Sequence, residues 1–195
     1  MIAIVNYDAG NIKSVMNALK RLDTDFELTA DPDKIKAASK VILPGVGNAA
    51  EAMKSLKDKG LAELIKSLRK PVLGICVGMQ IMCRSSEEGD AQCMGIFDCD
   101  VHKFIPESDT KVPHMGWNRI SNLGSKLFKG LEEGEYVYFV HSYYPGICTD
   151  TIATCRHGKT LFSAALKYEN FYGTQFHPEK SGNIGEMILK NFVAL

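Results

Sequence analysis

One cysteine, one histidine and one glutamate in this sequence have the types and neighbours that acyl transfer requires. Cys76 stands in Gly74-Ile75-Cys76-Val77-Gly78, the G-x-nucleophile-x-G spacing of a strand-to-helix elbow, where a strained turn needs small residues on both sides of the reactive one. At the start of a helix a sulfur meets free backbone N–H groups and the positive end of the peptide dipoles, which stabilise negative charge on it. A cysteine at the end of a core strand is ordinarily just a small buried hydrophobe. That reading is kept for Cys83, Cys93, Cys99, Cys148 and Cys155, none of which sits between glycines at such a junction.

His177 lies in Gly173-Thr174-Gln175-Phe176-His177-Pro178-Glu179, in the loop after a strand, where catalytic groups of open α/β sheets commonly stand. It fits the base that holds a thiolate and later protonates a departing amine. Glu179 follows two residues on, with Pro178 limiting the backbone between them, and fits the carboxylate that orients the imidazole. Alone, a His-Pro-Glu tripeptide is an ordinary polar turn; the elbow gives it a partner. His102 and His157 lie among charged or polar neighbours and read as surface residues. His114 and His141 adjoin aromatics and either line a site or simply pack, with no catalytic role assigned.

Thiol attack on an amide carbonyl builds negative charge on oxygen, best stabilised by preorganised N–H groups. Pro44-Gly45-Val46-Gly47 follows a strand and can supply them from Gly45, Val46 or Gly47, with the N–H of Val77 as a further donor. Gln80, one helical turn after Cys76, is either a contact for a polar substrate group or a solvated helix residue. Ser142 and Tyr143 can present backbone groups to the same substrate.

The elements that must position these residues read as an α/β chain. Ile2 to Val5, Phe26 to Thr29, Val41 to Leu43 and Val72 to Ile75 are short apolar strands. Between them lie helical patterns: Ile12, Val15, Met16, Leu19 and Leu22 after a cap at Asn11, a short helix after Asp31-Pro32, then Ala49 to Leu56 and Leu61 to Leu68. This alternation predicts βαβ units around a mostly parallel sheet flanked by helices. From about Gly95 the chain turns β-rich, with runs Val101 to Ile105, Tyr136 to His141, Thr151 to Cys155, Leu161 to Leu166 and Phe171 to Gln175, and Gly185 to Leu195 closes it as an amphipathic helix.

Composition narrows the function classes. With 195 residues and 45% apolar content, one domain spanning 1–195 is expected. Lys plus Arg and Asp plus Glu balance at 23 each and are scattered, which argues against nucleic acid as a partner. The N-terminus lacks a charged leader and no apolar run approaches the length of a membrane span, so a soluble, cytoplasmic protein is the expectation. The six cysteines include no CxxC pair, so neither a zinc ribbon nor a redox pair is indicated. No metal and no cofactor is called for.

Taken together, Pro44-Gly45-Val46-Gly47, Gly74-Ile75-Cys76-Val77-Gly78-Met79-Gln80 and Phe176-His177-Pro178-Glu179 resemble the class I (triad) glutamine amidotransferases in order and spacing over nearly the whole chain. Asn6-Tyr7-Asp8-Ala9-Gly10-Asn11, Lys111-Val112-Pro113-His114-Met115-Gly116-Trp117-Asn118 and Glu179-Lys180-Ser181 look like those of the glutaminase subunits of imidazole glycerol phosphate synthases. The resemblance implies a flavodoxin-like fold, L-glutamine as substrate, and a (β/α)8-barrel cyclase that receives the ammonia in a heterodimer of histidine biosynthesis. It also implies that Gln80, Ser142 and Tyr143 contact glutamine and that Asn11, Trp117 and Lys180 lie at the cyclase interface. Glutaminase activity is then weak until partner and ligand are present, when a peptide within Gly45-Val46-Gly47 turns its N–H into the oxyanion site.

Three other readings stay open at this stage. A cysteine hydrolase of the α/β-hydrolase type would share the elbow, but normally carries its acid before the histidine. A non-catalytic module on the same scaffold would not need all three triad residue types. A related glutaminase feeding a different synthase would share every motif near the triad.

Overall fold

The computed structural model describes residues 1–8, 12–106 and 110–195. Its first half is built from four parallel strands, β1 (Ile2–Val5), β2 (Phe26–Thr29), β3 (Lys40–Leu43) and β4 (Val72–Ile75), with β1 between β2 and β3 and β3 beside β4. β1 and β4 are buried along their whole length, as unbroken apolar runs in a sheet covered on both faces must be. The covering helices are α1 (Ile12–Arg21), α2 (Pro32–Ala37), α3 (Ala49–Asp58) and α4 (Leu61–Ser67). Asp31 caps α2 as its sequence predicts, its side chain accepting the Asp33 N–H at 2.9 Å ahead of Pro32. The single turn α5 (Val77–Gln80) follows Cys76 directly.

The β-rich half supplies two short strands, β5 (Ser85–Ser86) and β6 (Ala91–Gln92), then β7 (Asp100–Lys103), β8 (His114–Arg119), β9 (Tyr136–His141) and β10 (Tyr143–Pro145). β11 (Thr151–His157), β12 (Thr160–Tyr168) and β13 (Phe171–Thr174) follow, and α6 (Gly182–Ala194) closes the chain. β13 returns to the middle of the main sheet and pairs parallel with β4, Gly173 beside Gly74 and Thr174 beside Ile75. β12 and β11 then extend it antiparallel, giving seven strands in the order β11-β12-β13-β4-β3-β1-β2. A four-stranded sheet, β10-β7-β5-β6, and the β8–β9 pair stand beside it.

The predicted α/β architecture and its β-rich second half are therefore present, with local differences. β8 was not among the predicted strands: Pro113, Gly116, Asn118 and Arg119 break any strand pattern, and pairing with β9 from His114↔His141 to Arg119↔Tyr136 overrides local propensity. β7 ends at Lys103 and β13 at Thr174, earlier than predicted, and α6 starts earlier, at Gly182. His157, predicted at the surface, is half-buried because the end of β11 folds along β8: its ring stacks on His114 with centroids 4.1 Å apart, and its Nε2 donates to the Lys111 carbonyl at 2.8 Å. The Asn11 cap lies outside the described residues.

Candidate active site

Because β4 and β13 are parallel neighbours, their carboxyl ends deliver Cys76 and the loop carrying His177 to one edge of the sheet. The Cys76 N–H donates to the Thr174 carbonyl at 2.7 Å and ties the two ends together. Cys76 has φ 53° and ψ −113°, a backbone state that costs an L residue about 1–3 kcal/mol and persists only where packing enforces it. The flanking glycines permit that packing. A Cβ on Gly78 would lie 1.9 Å from the Leu43 carbonyl oxygen, and one on Gly74 would lie 2.6 Å from the Gly78 carbonyl oxygen.

The His177 backbone is fixed on β9: its N–H donates to the Tyr138 carbonyl at 2.9 Å, and Ser181 bridges the His177 carbonyl (2.6 Å) and the Tyr138 N–H (2.9 Å). Its Nδ1–H donates to Glu179 Oε1 at 2.8 Å, with both side chains almost free of solvent. That bond turns Nε2 toward the substrate side, where it meets no nitrogen or oxygen partner. The neighbour that acts on it is Cys76. Burial alone would lower the His177 pKa, but the neighbouring Cys76, followed by Glu179, outweighs it and raises it to about 10. The imidazole is thus built to carry its proton opposite the sulfur.

The loop 44–47 is pinned from three directions. Tyr7 Oη donates to the Pro44 carbonyl, Asn48 Oδ1 caps α3 by accepting the Ala50 and Glu51 N–H groups at 2.8 and 3.2 Å, and Glu88 Oε2 accepts the Ala49 N–H at 2.8 Å. Gly45 packs on the elbow so closely that a Cβ there would sit 2.4 Å from the Gly78 nitrogen, and Gly47 has φ 101°. Val77 opens α5, so its N–H has no acceptor within the helix. Loop and elbow border one space, which Val46, Gly47, Cys76 and Val77 line together.

A cavity of about 190 Å³ lies in front of them, lined by Val46, Gly47, Cys76, Val77, Gln80, Glu88, Val140, His141, Ser142, Tyr143 and His177. Gln80 is buried; its Nε2 donates at 2.9 Å both to the Tyr143 carbonyl and to Gln175 Oε1. Gln175 Nε2 in turn points at Cys76 Sγ from 3.5 Å. A nucleophile on a strained turn, a protonated base and a polar pocket are the parts of an acyl-transfer site.

Over residues 3–195 the sequence matches the family model described as glutamine amidotransferase class-I. The chain belongs to the class I glutamine amidotransferases. Within that family it is 56% identical over 195 residues to the imidazole glycerol phosphate synthase subunit HisH of Bacteroides thetaiotaomicron, covering 100% of this chain and 99% of the relative. It is 46% identical to the same subunit of Shewanella loihica, covering 98% and 89%. Such identity over the full length makes this amidotransferase a member of the HisH group, which makes it a glutaminase. Among solved structures it is similar in fold to one described as a GMP synthase protein from Thermoplasma acidophilum, with a TM-score of 0.76, 23% identity and coverage of 99% and 92%. A second, described as a glutamine amidotransferase, has a TM-score of 0.74 and 15% identity, with coverage of 100% and 98%.

Of the site residues predicted from sequence, this amidotransferase brings Val46, Gly47, Cys76, Val77, Gln80, Ser142, Tyr143 and His177 around one cavity. Gly45 and Glu179 stand just behind it, against the elbow and the imidazole respectively. Trp117 and Lys180 are elsewhere and near each other: Trp117 is 55% exposed, meets Tyr138 edge-on at 6.1 Å, and Lys180 Nζ lies 5.8 Å over the same Tyr138 ring. Asn11 falls outside the described residues.

Sequence reasoning missed Glu88, Gln175 and Tyr7. Glu88 sits in Ser85-Ser86-Glu87-Glu88-Gly89-Asp90, which has the composition of a solvated turn. Burial raises its pKa against the pull of the Ala49 bond, with Glu51 adding to the rise. Tyr7 lay within a quoted motif but had no stated partner, and its burial together with the charge at Cys76 pushes the phenol pKa up. Gln175 stood two residues before His177 and gave no sign that it would face the sulfur.

Proposed function

We propose that the whole chain serves as one cytoplasmic glutaminase domain that hydrolyses L-glutamine through a Cys76 thioester and hands the ammonia to a (β/α)8-barrel cyclase. That partner uses it to form imidazole glycerol phosphate and aminoimidazole carboxamide ribonucleotide in histidine biosynthesis. The observation that carries the reading is the pairing at the cavity wall of Cys76, on its positive-φ turn, with a His177 held protonated by Cys76 and Glu179.

The steps follow from that pairing. The Cys76 thiolate attacks the side-chain carboxamide carbon of glutamine, and the carbonyl π pair moves onto oxygen, where N–H groups of Gly45, Val46 or Gly47 and of Val77 receive it. His177 Nε2–H gives its proton to the amide nitrogen; the C–N bond breaks, ammonia leaves, and a γ-glutamyl thioester remains on Cys76. Water then gives a proton to His177 and its oxygen attacks the thioester carbon, releasing glutamate and restoring the thiolate–imidazolium pair. Gln80 and the Ser142 and Tyr143 backbone hold the polar end of the substrate, and Glu88 supplies the counter-charge for its ammonium.

Docking of the cyclase fits the face that carries Trp117 and Lys180. Met115 and Trp117 on β8 are exposed large apolar side chains, a surface that an interface would cover. The name of the relatives, a synthase subunit, supports a second chain there.

The test is glutamate release by this chain mixed with the histidine-pathway cyclase from its own source. Cys76→Ala is expected to lower turnover by roughly 10³-fold or more while binding the cyclase as the parent does. Turnover within a few-fold of the parent would remove Cys76 from the mechanism. A parent chain that is inactive with this cyclase but active with another co-purifying synthase would overturn the histidine-pathway assignment alone.

A further inference from the structure

His114 and His141, register partners across β8 and β9, are buried and take no part in the chemistry above. Their contacts admit a single proton arrangement. His141 Nδ1 lies 2.7 Å from the Tyr143 carbonyl oxygen, which can only accept, so Nδ1 carries the proton and the neutral ring leaves Nε2 as an acceptor. His114 Nδ1 stands 2.9 Å from that Nε2 and must donate to it. His114 Nε2 is then an acceptor, and Asn118 Nδ2 reaches it at 3.0 Å. The Asn118 amide is oriented independently, its Oδ1 accepting the Arg119 N–H at 2.8 Å and its Nδ2 also donating to the Arg156 carbonyl at 2.9 Å.

Both ring planes are held by packing. His114 is stacked between His157 at 4.1 Å and Phe139 at 4.8 Å, while Phe104, Phe139 and Phe162 surround His141 with centroids 5.2 to 5.5 Å away. Burial, helped by His157, lowers the His114 pKa to about 4, and burial foremost takes His141 well below the ordinary histidine range despite its bond to Tyr143. Both rings are neutral where the enzyme works.

The carbonyl that receives this chain also accepts Gln80 Nε2 at 2.9 Å, and His141, Ser142 and Tyr143 line the cavity that holds Cys76. We propose that His114 and His141 are positioning residues for glutamine: the one-way chain Asn118→His114→His141→Tyr143 carbonyl fixes the peptide at 142–143 whose backbone groups face the substrate. The proposal rests on the cavity being the glutamine site. It places the start of the chain beside exposed Trp117 and its end at the pocket, with the reacting atoms untouched. Without the His114 donor, His141 is free to carry its proton on Nε2 and release the Tyr143 carbonyl.

Two measurements test it. In the parent chain labelled with ¹⁵N-histidine, long-range ¹H–¹⁵N spectra between pH 6 and 8 are expected to give His114 and His141 both as neutral Nδ1–H tautomers. An Nε2–H tautomer at either ring overturns the chain. In the cyclase complex, His141→Phe is expected to raise the KM for glutamine roughly tenfold with kcat within about threefold. His141→Asn, whose Nδ2 can still donate to Tyr143, is expected to recover most of the loss. His114→Phe gives a second variant that should move KM the same way should His141→Phe not fold. An unchanged KM, or a fall confined to kcat, overturns the positioning role while the parent's turnover upholds the glutamine reading; a parent inactive on glutamine overturns both.

Discussion

At the residue scale, the site turns on the sharing of charge between Cys76 and His177. The buried imidazole keeps its proton because the sulfur's charge and the Glu179 carboxylate outweigh desolvation. Removing the sulfur should therefore be visible on the histidine: in Cys76→Ala the His177 pKa, followed by its ring ¹³C shift, is expected to fall well below the parent's value of about 10. An unchanged titration would detach the two groups. The sign for stability follows from the same shift. The folded-state pKa lies above the unfolded value near about 6.5, so bound proton favours the fold fully below that pH, and the contribution is lost as pH rises through about 10. Glu179→Gln, by weakening the raise, should flatten that dependence in denaturant melts taken from pH 7 to 10. These three residues were legible in the sequence because their chemistry constrains type and spacing locally. Glu88 was not, since an acidic turn has no local mark that separates a pocket carboxylate from a solvated one. Gln80 was left open between pocket and solvent, and only the return of β10 and β13 beside it buries the amide.

At the scale of elements, the site is a meeting of three strand exits: β3 into the loop 44–47, β4 into the elbow, and β13 into the His177 loop. The glycines at this meeting are fixed by space. Gly78→Ala would drive a Cβ to 1.9 Å from the Leu43 carbonyl oxygen, where backbone on both sides leaves nothing flexible to yield. It is expected to destabilise the chain by about 3 kcal/mol or more, read as a lowered denaturation midpoint, and to reduce glutaminase activity even at temperatures where the variant stays folded. A midpoint equal to the parent's would contradict the packing of loop on elbow. The elements themselves were largely readable from period and caps, from Ile2–Val5 through α4. Their neighbours were not: that β13 pairs with β4 across almost a hundred residues leaves no local trace, and it is this pairing that sets His177 beside Cys76. β8 was missed for the related reason that its partner β9, and not its own residues, makes it a strand.

Across the whole molecule, the β8–β9 pair links the cavity, which Val140 and His141 of β9 line, to the exposed Met115 and Trp117 of β8, where the cyclase is proposed to dock. Trp117 is 55% exposed and meets the Tyr138 ring edge-on, so Trp117→Ala should leave the stability of the free chain within about 0.5 kcal/mol of the parent's. It should weaken association with the cyclase roughly tenfold or more, as loss of an aromatic anchor does; titration calorimetry of the two chains checks both sides. Equal affinity would move the docking face elsewhere. The exposure of Trp117 could not be read from sequence, where an aromatic in an apolar motif serves a core equally well. The claim on which everything else depends is that Cys76 alone among the six cysteines is the nucleophile that glutamine meets. It is tested most directly by reacting the chain, with its cyclase, with a glutamine analogue bearing an electrophilic ketone in place of the carboxamide, then mapping the adduct by peptide mass spectrometry. One adduct per chain on the Cys76 peptide, slowed by excess glutamine and accompanied by complete loss of glutaminase activity, is the expected result. An adduct on another cysteine, or full labelling of Cys76 with activity retained, would contradict it.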